Sequence, residues 1–222
     1  VFRHLGTSMA ELVKLRSILA ERHLRMDFHL TDSARDYLAD KPATVWVTAH
    51  LGAWQVANLV GTHLDIPMST AYAAESNAIL QQELYRLREG LGTKLVATSS
   101  GLRPLLRELN AGNSLALATD TRPENGELMP FFGVDALTNT SPAAIALRTG
   151  SGLMPARCLR TRPGYYRVEV CDPIVSRCPD APREQQARDM TAQLTAVYED
   201  WIRETPDQWI CLKRRWPKPG KL

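Results

Sequence analysis

The sequence contains no run of about 18 apolar residues, which excludes a transmembrane helix within it. Charge of one sign is scarce as well. There are 27 Lys and Arg against 24 Asp and Glu, so the net charge is only +3 over 222 residues, too little to imply a nucleic-acid partner. The four cysteines (Cys158, Cys171, Cys178 and Cys211) show no C-x-x-C spacing and no clustered histidines. That excludes a zinc finger or a disulfide framework and leaves reduced thiols in a reducing compartment. No repeat, low-complexity linker or signal peptide interrupts the chain, so one domain over residues 1–222 is expected. The chain opens V-F-R-H-L-G-T-S-M-A-E-L, which reads as the middle of a helix. The expectation is a chain that begins inside a longer gene product.

What is present is ordinary for a globular domain, with 44% hydrophobic and 23% charged residues. Apolar residues at helical spacing predict a helix over 5–22, and Thr31-Asp32-Ser33 caps a short one that Lys41-Pro42 ends. Residues 43–49 read as a strand and 53–62 as a helix, followed by a strand over 68–73 and a helix over 77–89. A short strand over 95–97, a helix over 102–110 and a strand over 114–119 come next. The loop D-T-R-P-E-N-G-E then leads to L-M-P-F-F-G. Thr140-Ser141-Pro142 starts a helix closed by Gly150, with a strand over 153–158, an antiparallel edge strand over 165–170 and a long helix over 183–203. This alternation predicts an α/β fold with a mixed, mostly parallel central sheet flanked by helices.

Residues 44–55 read T-V-W-V-T-A-H-L-G-A-W-Q. An apolar β-branched run stops at His50, and Gly52 lets something approach the backbone closely. In α/β sheets ligands bind at the carboxyl ends of strands. A neutral imidazole there can act as general base on a substrate hydroxyl, and a packed core histidine is the alternative. Trp54 and Phe131-Phe132 are assigned to packing beside that pocket.

The A-H-L-G-A-W-Q stretch resembles the A-H-x-G-N-W-E segment of the lipid A biosynthesis (lauroyl/myristoyl) acyltransferase family, relatives of the phosphatidylinositol mannoside acyltransferases. The resemblance continues in family order. It runs through Asn77 and Arg86-Leu87-Arg88, then Ala118-Thr119-Asp120 with Pro130-Phe131-Phe132-Gly133, and Thr138 to Gly150. It ends with Thr205-Pro206-Asp207-Gln208-Trp209 and Lys213-Arg214-Arg215-Trp216. It implies a glycerolipid acyltransferase-like sandwich that transfers a fatty acyl group from an acyl thioester to a hydroxyl of a membrane glycolipid. His50 would be the base, with no metal or bound cofactor. The co-substrate would be an acyl-carrier-protein or coenzyme A thioester, and the place the cytoplasmic face of the bacterial inner membrane. Of Arg86 and Arg88, one would meet the thioester oxygen and the other a phosphate or the carrier. Arg122 is a candidate for a phosphate of the acceptor, and Asn77 joins the substrate-binding set. The last ten residues hold five Lys or Arg and no acid, a composition suited to an anionic leaflet or to a solvated tail.

The departure lies at Gln55, where the family carries an acid. An amide can orient a ring N–H but cannot stabilise an imidazolium by charge; the comparable change in serine proteases costs roughly 10⁴ in turnover. Three explanations follow: an inactivated chain, a natural variant with changed activity, or an acid drawn from elsewhere, for which Glu124 and Asp120 are the candidates. A lipid- or carrier-binding relative without chemistry is the alternative function. Hydrolysis of the thioester, with water in place of the acceptor, is a third.

Overall fold

The computed structural model describes residues 2–211 and 213–217. Helices α1 (Phe2–Val13) and α2 (Leu15–Ala20) divide at Lys14 what the periodicity predicts as one helix, and a single turn, α3 (Arg22–Arg25), follows. Strand β1 (Met26–Leu30) was not foreseen, although Met26, Phe28 and Leu30 alternate as a half-buried strand should. Helix α4 (Asp32–Leu38) is capped by Thr31, whose Oγ1 accepts from the Ala34 N–H at 3.2 Å.

Strand β2 (Val45–Thr48) is buried along nearly its whole length. The helix predicted over 53–62 begins later, as a 3₁₀ turn over Val56–Asn58 and α5 (Leu59–Leu64), because the backbone of Leu51 to Ala53 pairs with Trp209 and Cys158 instead. Then come β3 (Met68–Tyr72), α6 (Ala78–Arg88), β4 (Lys94–Ala97), α7 (Leu102–Asn110) and β5 (Ser114–Ala118). L-M-P-F-F-G and the residues after it, for which the sequence predicts no element, form a hairpin, β6 (Glu127–Phe131) with β7 (Val134–Thr138). Helix α8 (Ser141–Thr149), strands β8 (Leu153–Arg162) and β9 (Tyr165–Val170) and helix α9 (Arg183–Glu204) complete the order.

Seven strands form one sheet in the order β1-β9-β8-β2-β5-β3-β4. The five from β8 to β4 are mutually parallel. β9 runs antiparallel to β8, and β1 lies parallel to β9. The mixed, mostly parallel sheet is therefore as expected, but β9 is not the edge, since β1 covers it.

Alternation along β2 divides the core. Val45 and Val47 face α7, α8 and α9, whereas Trp46 faces the layer of α1, α2, α4, α5 and α6. Leu153 and Met154 split in the same way on β8. Each strand is thus apolar on both sides, the pattern of a sheet buried between two helical layers. Among the described residues, no helix is long and apolar enough to cross a membrane.

Candidate active site

Because β2 and β5 are parallel and in register at Thr48 and Ala118, the residues two beyond each end leave the sheet side by side. Those residues are His50 and Asp120. Asp120 Oδ1 accepts from His50 Nδ1 at 2.6 Å and from the His50 backbone N–H at 2.9 Å. Its other oxygen, Oδ2, accepts from Trp209 Nε1–H at 2.8 Å. Three donors thus converge on one carboxylate whose side chain is only 2% exposed, while the His50 side chain keeps 27% of its surface.

The electrostatics follow from these contacts. Burial raises the Asp120 carboxyl, but the His50 charge and the donors from His50 and Trp209 outweigh it, leaving Asp120 below its ordinary value. Burial likewise pulls His50 down, and the Asp120 charge and hydrogen bond overcome that, so the imidazole stands above 6.5. An ionised Asp120 fixes the proton on Nδ1 of the neutral ring, which leaves Nε2 as an acceptor.

The backbone around His50 is held from the far end of the chain. The His50 carbonyl accepts from the Ile210 N–H at 2.8 Å, and the Gly52 N–H donates to the Gln208 carbonyl at 3.0 Å. Gly52 sits at φ +56°, and a Cβ there would collide with the Cys158 carbonyl, which accepts from the Ala53 N–H at 2.7 Å. Tyr198, buried on α9, donates to the Thr48 carbonyl at 2.9 Å and meets Thr119 Oγ1 at 2.7 Å, tying the ends of β2 and β5 to the helical layer behind them.

In front of His50 lies a cavity of ≈ 530 Å³ at the carboxyl ends of β2, β3 and β5. Trp54 borders it, with its ring centroid 5.4 Å from that of His50. Gln55 and Arg88 also border it, as do Tyr72, Glu75 and Lys213. Among the described residues, no group of three or more His, Cys, Asp or Glu side chains is placed to hold a metal ion.

The sequence candidates divide accordingly. His50 and Asp120 are brought together. Gln55 is not the partner of His50: it is buried, and its Oε1 accepts from Arg88 Nε at 3.4 Å. Glu124 is exposed and does not line the cavity, because its loop turns away ahead of the β6–β7 hairpin. Arg88 enters the cavity, whereas Arg86 is exposed and paired with Glu83 at 3.0 Å. Asn77 caps α6, its Oδ1 accepting from the N–H groups of Ile79 and Leu80 at 3.0 Å, and Arg122 is exposed outside the cavity.

Trp209 and Lys213 carry roles that the sequence reading did not assign. The only signal for Trp209 was its place in the quoted C-terminal motif. Arg215, one of the basic residues counted at that end, is 3% exposed and donates to the Leu137 carbonyl and to Thr138 Oγ1, so it is structural. Residues 218–222 of the same basic stretch lie outside the described residues.

No curated protein matches the chain. Among solved structures, the 1-acyl-sn-glycerophosphate (LPA) acyltransferase PlsC from Thermotoga maritima is similar at 13% identity and a TM-score of 0.45, over 86% of this chain and 81% of that one. A model of the bacterial lipid A biosynthesis acyltransferases matches residues 1–218, and the chain belongs to that family.

Proposed function

We propose that this acyltransferase moves a fatty acyl group from an acyl-carrier-protein or coenzyme A thioester to a hydroxyl of a membrane glycolipid, with His50 as general base. The observation that carries this reading is the His50–Asp120 contact at the mouth of the cavity. Nε2 accepts the proton of the acceptor hydroxyl, and the freed oxygen attacks the thioester carbonyl. The tetrahedral intermediate then expels the thiolate, which takes the proton back from the imidazolium. Asp120, anionic and buried, lowers the energy of that imidazolium. Negative charge developing on the thioester oxygen falls in a cavity bordered by the cation Lys213. The reading sets the reaction at the cytoplasmic face of the inner membrane, where thioester donor and lipid acceptor can meet.

The acid at Asp120 supports the active reading over that of an inactive relative, since the neighbouring strand supplies a charge that Gln55 lacks. The test is transfer from a labelled acyl thioester into a bacterial lipid extract, comparing the parent with His50→Ala. Removal of a general base lowers the rate by roughly 10²–10⁴. Full transfer by His50→Ala would sink the assignment, and labelled free acid appearing without lipid would favour hydrolysis.

A further inference from the structure

Three residues that line the cavity carry a buried donor with no partner among the described residues: Trp46 with Nε1, Gln55 with Nε2 and Arg88 with Nη1, of which the last two side chains touch each other. Gln55 is 7% exposed, so its amide is about as well buried as a core side chain. Its orientation is fixed by chemistry. A guanidinium has only donors, so the amide must turn Oε1 towards Arg88 Nε and its NH₂ group away. Flipping it would set donor against donor. A buried donor without an acceptor costs free energy that a bound acceptor would recover.

The charge around the pair is positive. Arg88 and Lys213 border the cavity against the single acid Glu75, whose charge is felt at Arg88 but which makes no ion pair with it among the described residues. Tyr72 stacks beside the guanidinium, 5.9 Å from its ring centroid, and leaves the donors free. The neighbouring amide Asn58 bonds to neither donor: its Oδ1 accepts from Thr70 Oγ1 and its Nδ2 donates to the Gln55 carbonyl.

We propose that Gln55 and Arg88 form an anion subsite that holds a phosphate oxygen of one of the two substrates. This rests on the acyl-transfer reading and extends it. A carboxylate at position 55 would neutralise the guanidinium, whereas the amide leaves its charge free and adds a second donor, so Gln55 confers selectivity for a phosphate-bearing ligand. The phosphate could stand on the acceptor headgroup or on the pantetheine arm of the donor.

The experiment measures binding to the full-length chain in detergent with two pairs of probes. One pair is a glycolipid carrying a phosphate monoester and the same glycolipid after phosphatase treatment. The other is 4′-phosphopantetheine and pantetheine. The parent should favour the phosphorylated member of one pair by about tenfold or more, and the pair that responds identifies the source. Gln55→Glu, and Arg88→Gln as a second variant should the first fail to fold, should bring that ratio close to one. His50→Ala should abolish transfer and keep the ratio. Equal binding of both members of both pairs by the parent overturns the subsite, as does a ratio that survives in both variants. A fall in kcat equal for phosphorylated and unphosphorylated acceptors, with the ratio intact, puts the pair at the transferring carbonyl and also overturns it. A ratio without any acyl transfer would remove the catalytic reading and leave the subsite standing.

Discussion

Replacing Asp120 by Asn tests the centre of the mechanism with almost no change of shape. The carboxylate receives three hydrogen bonds, two on Oδ1 from His50 and one on Oδ2 from Trp209. An amide has one acceptor oxygen and one NH₂ group, so it cannot serve both sides. With its oxygen on His50, it sets NH₂ against the Trp209 N–H. With the oxygen on Trp209, it opposes the His50 backbone N–H and also forces the wrong ring tautomer. The first arrangement sacrifices fewer bonds, and the Trp209 donor left unpaired costs about 1–3 kcal/mol of stability. The larger effect is electrostatic. Two unit charges about 4 Å apart at an effective dielectric near 20 attract by roughly 4 kcal/mol. Part of that is lost as the imidazolium forms, which corresponds to a fall of about 10²–10³ in kcat. His50 also loses the interaction that lifts it while its burial remains, so the pH profile should shift below 6.5. The assay is single-turnover transfer from a saturating labelled thioester across pH, with folding checked by thermal unfolding and Glu124→Gln as the exposed control. A loss under about tenfold, or an unshifted profile, would refute Asp120 as the group that orients and charges His50.

Three further outcomes follow from the same geometry. In the parent, the neutral imidazole is the base and its pKa is raised, so transfer should climb with pH through a value above 6.5 and then level off. The raised base stabilises the fold fully below 6.5 and ceases to as pH rises through the folded value, whereas depressed Asp120 loses its contribution as pH falls below 3.8. A rate that is flat between about pH 6 and 9 would contradict the first statement, and urea unfolding across pH checks the second. Gly52→Ala combines a left-handed backbone with a Cβ driven into the Cys158 carbonyl, and should cost at least about 2 kcal/mol and most of the transfer activity. An unchanged urea midpoint would show that the backbone relaxes there.

Most elements were legible because their periodicity is local. The helix over 102–110 and the long helix beginning at Arg183 have the predicted bounds to within a residue. The misses share a cause. β1 is short and alternates over only five residues, and the β6–β7 hairpin turns at Phe132-Gly133, where Phe132 takes a positive φ of 53° that an aromatic residue does not advertise. At the site, the residue types and the position of His50 were readable, but the choice between Glu124 and Asp120 was not. It depends on the register of β2 against β5, which brings together residues 70 apart in sequence. Gln55 drew attention as a missing acid at His50, yet its partner proved to be Arg88, 33 residues away on another helix. Spacing identified which residues mattered, and only packing revealed which of them touch.

The strap of Gln208 to Ile210 also sets a sequence of events. Asp120 comes 70 residues after His50, and the Trp209 indole that completes its shell comes 89 later still. A ribosome therefore releases the base long before it has made the donor that seats the acid, and the His50 turn stays unpinned until the Ile210 amide emerges. A growing chain therefore cannot complete this centre until the Trp209 indole and the Ile210 amide have been made.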